Sequence, residues 1–246
     1  MSEAAPRPRH RRVLLKLSGE ALQGGREFGI DPHFLRRVAR EVREAVEAGV
    51  EVAIVVGGGN IFRGVEGVAG GLDRATADYM GMLATVINGL ALRDALEREG
   101  VRALLQSAIR MDGVAEPFSE REAAEHLRGG GVVIFAAGTG NPFFTTDTAA
   151  VLRAVQIRAD VVLKATNVDG VYDSDPKVNP NAKRFDKLTY MEVLGMGLKV
   201  MDSTAVSLSM ENGLPIVVFD AHKEGNIRRA LLGEEVGTVV SDEKRG

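Results

Sequence analysis

The sequence predicts an α/β protein of three layers, in which a mostly parallel central sheet is covered by helices on both faces. Short apolar runs of β type alternate along the chain with longer segments whose apolar residues recur at helical spacing. Several of the apolar runs end in glycine or hydroxyl residues, as buried parallel strands often do where they lead into a loop. With 246 residues, the chain is long enough for one domain with a large core.

The first half of the chain alternates between strands and helices. Pro32 is well placed to begin a helix and Gly49 to end it, with apolar residues at helical spacing between them. The elements predicted here are a strand over 13–17, a helix from Pro32 to Gly49, a strand over 50–56, a helix over 74–99 and a strand over 101–106.

The second half contains two capping-box sequences, Ser119-x-x-Glu122 and Thr189-x-x-Glu192, each of which predicts the start of a helix. The region 166–188 is rich in Asp, Asn, Pro and Lys and predicts a long functional loop or a β-ribbon. The remaining predicted elements are strands over 131–137, 160–165, 215–219 and 237–240, and helices from about residue 148, over 202–211 and over 225–232.

The domain organisation is simple. Residues 1–12, which are polar and rich in Pro and Arg, predict a disordered tail, 13–241 predict a single domain, and 242–246 a second tail. The first tail has no apolar stretch like that of a signal peptide, and no apolar run reaches the length of a membrane span. A net charge of −3 disfavours nucleic acid and membranes as partners, although the Arg-rich tail leaves a nucleic-acid-binding arm open. The sequence therefore predicts a cytoplasmic protein.

The decamer from Gly138 to Asp147 (GTGNPFFTTD) joins an apolar strand to the start of a helix. Glycines and hydroxyl residues at such a junction leave backbone N–H groups available to bind an anion. The neighbouring Phe143 and Phe144 suit a flat apolar ligand, because exposed aromatic pairs usually stack on something. The decamer therefore fits a nucleotide site, although an ordinary strand-to-helix turn fits the same residues.

Lysines interrupt two of the predicted strands. Lys16 and Lys164 lie within otherwise apolar runs, and a buried lysine is costly unless it is paired. The two together predict a shared anionic ligand, and the structural alternative is that each lysine reaches solvent or pairs with a carboxylate. Asp147 fits either of two roles, namely the N-cap of the following helix or an organiser that holds both lysines on a transferring phosphoryl group.

Other motifs narrow the class of site. The run 57–59 of three glycines follows a strand and would let backbone amides approach a phosphate, with Arg63 as a clamp, although an ordinary loop and a surface arginine fit as well. The sequence has no P-loop motif and no G-x-G-x-x-G after a strand. The four histidines lack metal-ligand or triad spacing, and there is no cysteine. Metal, thiolate and nucleophilic-serine sites are therefore disfavoured.

Five motifs, in this order along the chain, resemble those of the bacterial uridylate (UMP) kinases, a branch of the amino acid kinase superfamily. They are KLSGEAL (16–22), GGGNIFRG (57–64), ADYMGMLATVINGLALRDAL (77–96), AGTGNPFFTTD (137–147) and LKATNVDGVYDSDP (163–176). The first, second and fifth are typical of the whole superfamily, whereas the third and fourth are particular to this branch. The resemblance extends over about residues 13–240.

The resemblance implies transfer of the ATP γ-phosphate to UMP, giving UDP and ADP in pyrimidine nucleotide (CTP and UTP) biosynthesis. It also implies Mg²⁺, carried by ATP rather than by a metal site of the protein. Because two polyanions must meet in this reaction, we assign catalysis to the positioned cations Lys16 and Lys164, with Asp147 as their organiser. The implied ATP contacts are Lys16, Leu17, Ser18, Gly19, Gly59, Arg63, Thr166, Asn167, Tyr172 and Asp175. The implied UMP contacts are Gly58, Asp78, Thr139, Gly140, Asn141, Pro142, Phe143, Phe144, Thr145 and Thr146.

The resemblance also implies regulation and assembly. We expect a homohexamer that UTP inhibits and GTP activates, the latter through the residues Gly24, Gly25, Arg26, Glu27, Phe28 and Gly29.

Two alternatives remain. A sister kinase of the superfamily would phosphorylate a carboxylate or a carbamate, but such an acceptor has no use for an apolar wall made by Phe143 and Phe144. A non-catalytic nucleotide-binding protein of the same fold should lack a residue that clamps the phosphoryl group, whereas Lys16, Lys164 and Asp147 are all present.

Overall fold

The computed structural model describes residues 8–176 and 178–242. The strands are β1 (Arg12–Leu17), β2 (Glu51–Val56), β3 (Ala103–Ser107), β4 (Glu116–Pro117), β5 (Val132–Ala136), β6 (Val161–Thr166), β7 (Val171–Tyr172), β8 (Arg184–Phe185), β9 (Lys187–Leu188), β10 (Ile216–Asp220) and β11 (Thr238–Val240). The helices are α1 (Gly19–Gln23), α2 (Pro32–Glu47), α3 (Gly64–Ala69), α4 (Arg74–Arg98), α5 (Glu120–Arg128), α6 (Thr146–Gln156), α7 (Tyr190–Gly195), α8 (Ser203–Glu211) and α9 (Asn226–Leu231). Within this described part of the chain, no helix combines the length and the apolar character needed to cross a membrane.

Nine strands form one central sheet in the order β4-β3-β5-β2-β1-β6-β10-β11-β9. Neighbouring strands run parallel except for β10 and β11, which pair antiparallel. The central strand β1 pairs with β2 on one side and with β6 on the other. Ligands of open α/β sheets bind at the carboxyl ends of such strands. The predicted three-layer fold with a mostly parallel sheet is confirmed.

Helices cover both faces of the sheet, because side chains alternate along each strand. Leu15 of β1 belongs to a core that includes apolar residues of α1, α2, α4 and α9. Leu14 belongs to a second core, on the other face, with residues of α5, α6, α7 and α8. Lys16 lies two residues after Leu14 and therefore points to the face that α6 covers.

The first described residues are held against the sheet. Arg12 belongs to β1, and its guanidinium forms an ion pair with Glu51 at 2.5 Å. The Asp160 carboxylate accepts hydrogen bonds from the backbone N–H groups of Arg11 and Arg12 at 2.8 and 2.9 Å. Residues 8–12 therefore differ from the predicted tail, because partners far along the chain tie them down. Residues 1–7 and 243–246 of the predicted tails lie outside the described residues.

The region 166–188 contains a β-ribbon, one of its two predicted forms. Its strands β7 and β8 pair antiparallel and stand apart from the main sheet. The short helices α1 and α3 are additions to the predicted elements. Both start at a glycine, and neither is longer than six residues, so their sequences contain too few turns to show a helical period.

The two predicted capping boxes differ in the structure. The box at Thr189 is complete, because Thr189 Oγ1 accepts from the Glu192 N–H and the Glu192 carboxylate accepts from the Thr189 N–H. At Ser119 only half of the box forms. Its Oγ accepts from the Glu122 N–H, but its own N–H donates to the side chain of Gln106. Both residues nevertheless cap a helix, as predicted.

Helix α9 is capped by a side chain from another helix. Its N-cap residue, Gly225, has no side chain to bind the first N–H groups. The buried Glu41 of α2 replaces that cap, because its carboxylate accepts from the N–H groups of Gly225 and Arg228 at 3.1 and 2.9 Å. A carboxylate at a helix N-terminus also interacts favourably with the helix dipole. Glu41 therefore joins α2 to α9 through charge-assisted hydrogen bonds.

We expect Glu41→Ala to lower the free energy of unfolding by about 2 kcal/mol or more, because two part-buried hydrogen bonds to a charged acceptor are lost. Urea unfolding followed by circular dichroism measures the change. The control is Glu47→Ala on the same helix, which removes an exposed carboxylate paired with Arg43 and should cost about 0.5 kcal/mol or less. Equal losses in the two variants would contradict the capping role of Glu41.

Candidate functional site

Two lysines and one aspartate meet on the α6 face of the sheet, near the carboxyl ends of its central strands. Lys16 on β1 and Lys164 on β6 are partners in the parallel register, so their side chains point to the same face. Asp147 of α6 lies between them, with Oδ1 at 2.9 Å from Lys16 Nζ and Oδ2 at 2.8 Å from Lys164 Nζ. Lys164 Nζ also donates to the Val200 carbonyl at 2.5 Å. We call Lys16, Asp147 and Lys164 the trio.

Burial and pairing together set the charge of the trio. Burial by itself would raise the pKa of Asp147, but Lys16 and Lys164 outweigh that effect and hold the pKa below its ordinary value. Burial lowers the pKa of Lys164, and the Asp147 carboxylate offsets this only in part. With Asp147 ionised and both lysines protonated, the trio has one net positive charge. An anionic ligand would balance it.

Asp147 is not the N-cap of α6. The cap is Thr145, whose Oγ1 accepts hydrogen bonds from the N–H groups of Asp147 and Thr148 at 3.0 and 3.3 Å. The helix begins at Thr146, two residues before the predicted start. Of the two roles that the sequence leaves open for Asp147, the structure thus excludes capping and shows the carboxylate paired with both lysines.

Glycines bring the turns after β1 and β2 into close contact. A Cβ atom on Gly19 would lie 2.4 Å from the Gly59 backbone nitrogen, and one on Gly57 would lie 2.8 Å from that of Gly19. A Cβ atom on Gly58 would lie 2.8 Å from the Gly81 carbonyl oxygen of α4. At Gly59, by contrast, the space for a Cβ atom is open. Packing therefore requires Gly57 and Gly58, while Gly59 leaves its backbone accessible to a ligand.

The decamer is a strained loop that α4 holds from one side. Phe143 has a φ of +72°, which an aromatic residue adopts only where the surrounding structure imposes it. Its N–H donates to Asp78 Oδ2 at 2.8 Å, and Arg74 Nε in turn donates to both oxygens of Asp78. Phe143 and Phe144 are 68% and 51% exposed. The decamer thus presents apolar surface to solvent while its backbone is fixed to α4.

A cleft of about 590 Å³ borders the decamer where α6 and α8 meet. Thr139, Asn141 and Phe144 line it from the decamer, and Ser203 and Ser207 line it from α8. A volume in this range suits a small organic ligand. Three of the residues predicted to contact UMP therefore share one cleft.

Asp202 belongs to this region, and the sequence does not identify it. It is the N-cap of α8, and its carboxylate accepts from the Ala205 N–H at 3.0 Å. The same carboxylate accepts from the hydroxyls of Thr145 and Thr148, which ties α8 to the start of α6. The sequence predicts a helix from residue 202. Nothing in the residues around Asp202 indicates, however, that its carboxylate binds two hydroxyl groups that lie 57 and 54 residues earlier in the chain.

The residues predicted to contact ATP lie at the carboxyl ends of β1, β2 and β6 or in the ribbon region. The Leu17 side chain is fully buried in the core, so only its backbone can face a ligand. Ser18 Oγ caps α1, and Thr166 Oγ1 accepts from a backbone N–H two residues later. Tyr172 donates its hydroxyl proton to Asp169 at 2.6 Å. These side chains already have structural partners.

The other predicted ATP contacts are more exposed. Arg63 extends from the turn after β2 and forms an ion pair with Glu20 of α1 at 3.1 Å. Asn167 Oδ1 lies 2.9 Å from His222 Nε2. The Asp175 carbonyl accepts from two backbone N–H groups in the ribbon region. None of these contacts distinguishes a nucleotide site from a structural role, so the ATP assignments remain predictions.

The segment 24–29, which the resemblance connects with GTP, is a loop between α1 and α2. Gly24 and Gly29, at its two ends, have φ values of +59° and +86°. Phe28 is 65% exposed. The Gly29 N–H donates to the Asn60 carbonyl at 2.9 Å, so the segment is attached to the turn that follows β2.

Asp147→Asn keeps the shape of the side chain but leaves two buried lysines without a counter-charge. We expect the free energy of unfolding at pH 7 to fall by about 3 kcal/mol or more, as when one partner of a buried ion pair is removed. The difference in free energy of unfolding between wild type and variant should be complete above the pKa of an aspartate in the unfolded chain, about 3.9. It should disappear as the pH falls through the pKa of Asp147 in the folded protein, which lies below that value. Urea unfolding of both proteins from neutral to acid pH measures this. A difference that stays constant with pH would contradict the charge pairing.

The chain is similar to known proteins over nearly its whole length. The model of the amino acid kinase family matches residues 11–220. A solved structure of UMP kinase from Bacillus anthracis has a TM-score of 0.91 and 42% identity, and the match covers 95% of this chain and 97% of that chain. A solved structure of UMP kinase from Ureaplasma parvum has a TM-score of 0.89 and 39% identity, and the match covers 95% of this chain and 100% of that chain. A solved structure of uridylate kinase from Archaeoglobus fulgidus has a TM-score of 0.71 and 29% identity, and the match covers 93% of this chain and 99% of that chain.

The range matched by the family model includes the trio, both glycine turns and the decamer. The structures that match also share the arrangement of strands and helices, since their TM-scores lie well above those of unrelated folds. The chain therefore belongs to the amino acid kinase family.

Proposed function

We propose that this protein is a UMP kinase, which transfers the γ-phosphate of ATP to UMP and gives UDP and ADP in pyrimidine nucleotide biosynthesis. The observation that carries the proposal is the trio, in which the carboxylate of Asp147, the last residue of the decamer, holds two buried ammonium groups. Identities of 42% and 39% with two UMP kinases, over at least 95% of each chain, support the same substrates.

The trio suits phosphoryl transfer between two nucleotides. The phosphate of UMP is already an oxyanion, so the acceptor needs no general base. The barrier comes from repulsion between two polyanions and from charge on the equatorial oxygens in a loose transition state. Lys16 and Lys164 would neutralise that charge, and Asp147 would keep both ammonium groups in position. One such positioned donor is typically worth about 10²–10³ in rate.

We assign the two substrates to opposite parts of this edge of the sheet. ATP would lie along the turns after β1 and β6, with the Gly59 backbone and Arg63 at its phosphates. UMP would lie against the residues Thr139 to Thr146, with Gly58 and Asp78 on the α4 side. The exposed rings of Phe143 and Phe144 would provide the apolar wall that a nucleoside requires.

Mg²⁺ would enter the site with ATP. Among residues 8–176 and 178–242, no group of three or more His, Asp or Glu side chains is placed to hold one ion. The phosphates and water would therefore supply most of the ligands, as is usual for Mg²⁺ in kinases. When bound, the ion would neutralise phosphate charge alongside Lys16 and Lys164.

We also propose that the enzyme is a cytoplasmic homohexamer, activated by GTP at the segment 24–29 and inhibited by UTP. The resemblance of the motifs is the main support. The exposure of Phe28 and the attachment of Gly29 to Asn60 are consistent with an effector segment, because a ligand there would contact a loop joined to the proposed phosphate site.

The acceptor distinguishes this proposal from its nearest alternative, a kinase acting on a carboxylate or carbamate. We expect ADP release, followed in a coupled assay, to be fast with UMP and far slower with acetylglutamate or aspartate, because only a nucleotide uses the exposed aromatic wall. Turnover with UMP no greater than with the other acceptors would refute the proposal. No turnover with any acceptor would favour a nucleotide-binding protein without catalytic activity.

Lys16→Ala tests the role of the trio. We expect kcat to fall by about 10²–10³-fold, because one positioned cation on the transferring phosphoryl group is lost, while UMP binding stays close to wild type. Steady-state rates and titration calorimetry measure the two quantities. The control is Lys199→Ala, which removes an exposed lysine and should leave both unchanged. An unchanged kcat in Lys16→Ala would remove this lysine from the mechanism.

A further inference from the structure

We infer that a buried pair of amide side chains, Asn60 and Asn88, positions the glycine turn after β2 for the proposed phosphoryl transfer. The inference rests on the proposed function and adds two positioning residues to it. Neither residue belongs to the trio, and neither is among the predicted nucleotide contacts.

The two amides form a closed network between β2 and α4. Asn88 Nδ2 donates to Asn60 Oδ1 and to the Gly57 carbonyl, at 2.7 Å in both cases. Asn60 Nδ2 donates to Asn88 Oδ1 at 3.0 Å and to the Gly29 carbonyl at 2.9 Å. The Asn60 backbone carbonyl also accepts from the Gly29 N–H. Each side-chain oxygen and nitrogen of the pair therefore has a partner.

Stability alone does not explain an amide pair at this place. Asn88 lies in the interior of α4 and is fully buried, and asparagine is a poor helix former. Asn60 is 2% exposed. An apolar side chain at position 88 would join the core that already contains Leu92, one turn later on the same helix. A directional network, by contrast, permits only one alignment of the turn relative to the helix.

The alignment matters because α4 also carries Asp78, which holds the Phe143 backbone of the decamer. The helix is thus attached to the glycine turn through Asn88 and to the decamer through Asp78. If Asn88 releases the Gly57 carbonyl, the turn that we assign to phosphate loses its alignment with the proposed UMP segment. A misplacement of about 1 Å is enough to cost 10²-fold in rate.

The pair also connects the segment 24–29 to the same turn. Gly29 is bound to Asn60 through both its N–H and its carbonyl, and its φ of +86° fixes the loop in a conformation that glycine adopts readily. A change in this segment would therefore reach Gly57 through the two amides, without any contact between the segment and the substrates.

The experiment compares Asn88→Ala, Asn60→Ala and the double variant with Leu92→Ala. Leu92 is fully buried on the same helix, and its side chain cannot take part in the hydrogen bonds of the network, so Leu92→Ala matches the loss of packing. We expect each asparagine variant to lower kcat for UMP by about tenfold or more, with a smaller change in KM, and Leu92→Ala to retain kcat at a temperature where all variants are folded. The double variant should be no worse than the poorer single variant, because the two amides act as one unit.

Amide hydrogen exchange provides a readout that needs no turnover. The N–H of Gly29 should exchange faster in Asn88→Ala than in Leu92→Ala, because only the first change releases Asn60 from α4. A kcat loss no larger than that of Leu92→Ala, or additive losses in the double variant, would overturn the inference. If wild-type protein fails to phosphorylate UMP, the proposed function is wrong. Independently of that result, equal exchange rates of the Gly29 N–H in Asn88→Ala and Leu92→Ala would show that the pair does not position the turn.

Discussion

One carboxylate shared by two buried lysines is the interaction on which the rest of the site depends. Asp147 reaches its position because Thr145 caps α6, so that the carboxylate in the first turn of the helix points at the sheet. The lysines reach theirs because β1 and β6 are neighbours in register. Removing any of these arrangements leaves a buried charge without a partner. The fold and the charge of the site are therefore set by the same contacts.

The apolar pattern was sufficient to predict the sheet and most helices, since each buried strand and amphipathic helix carries its own periodicity. Contacts between distant segments have no such local signal. The tail boundary shows this, because Arg12 joins β1 through partners 39 and 148 residues away. The short helices α1 and α3 were missed for a different reason, namely that five or six residues are too few to establish a period.

Residues of the site could be predicted from the sequence where their polarity differs from that of their neighbours in the chain. A lysine within an apolar strand is such a residue, and it pointed to Lys16 and Lys164 before their partner was known. Asp202 offers no such difference, because an aspartate before a helix is an ordinary cap. The glycine run pointed to phosphate, whereas the geometry shows that Gly57 and Gly58 are also required by packing. The individual ATP and UMP contacts remain predictions.

The central position of β1 has a consequence for how the protein is made. Among the described strands of the sheet this one is the first along the chain, but one of its two neighbours, β6, begins only at Val161. Until then this buried strand has an unpaired edge of mostly apolar residues, which is a template for aggregation. Pairing across so long a stretch of chain is also slow, because closing the loop costs entropy before any contact forms. The middle of the sheet is therefore completed late, and a chain that stops before β6 contains neither a closed core nor a site.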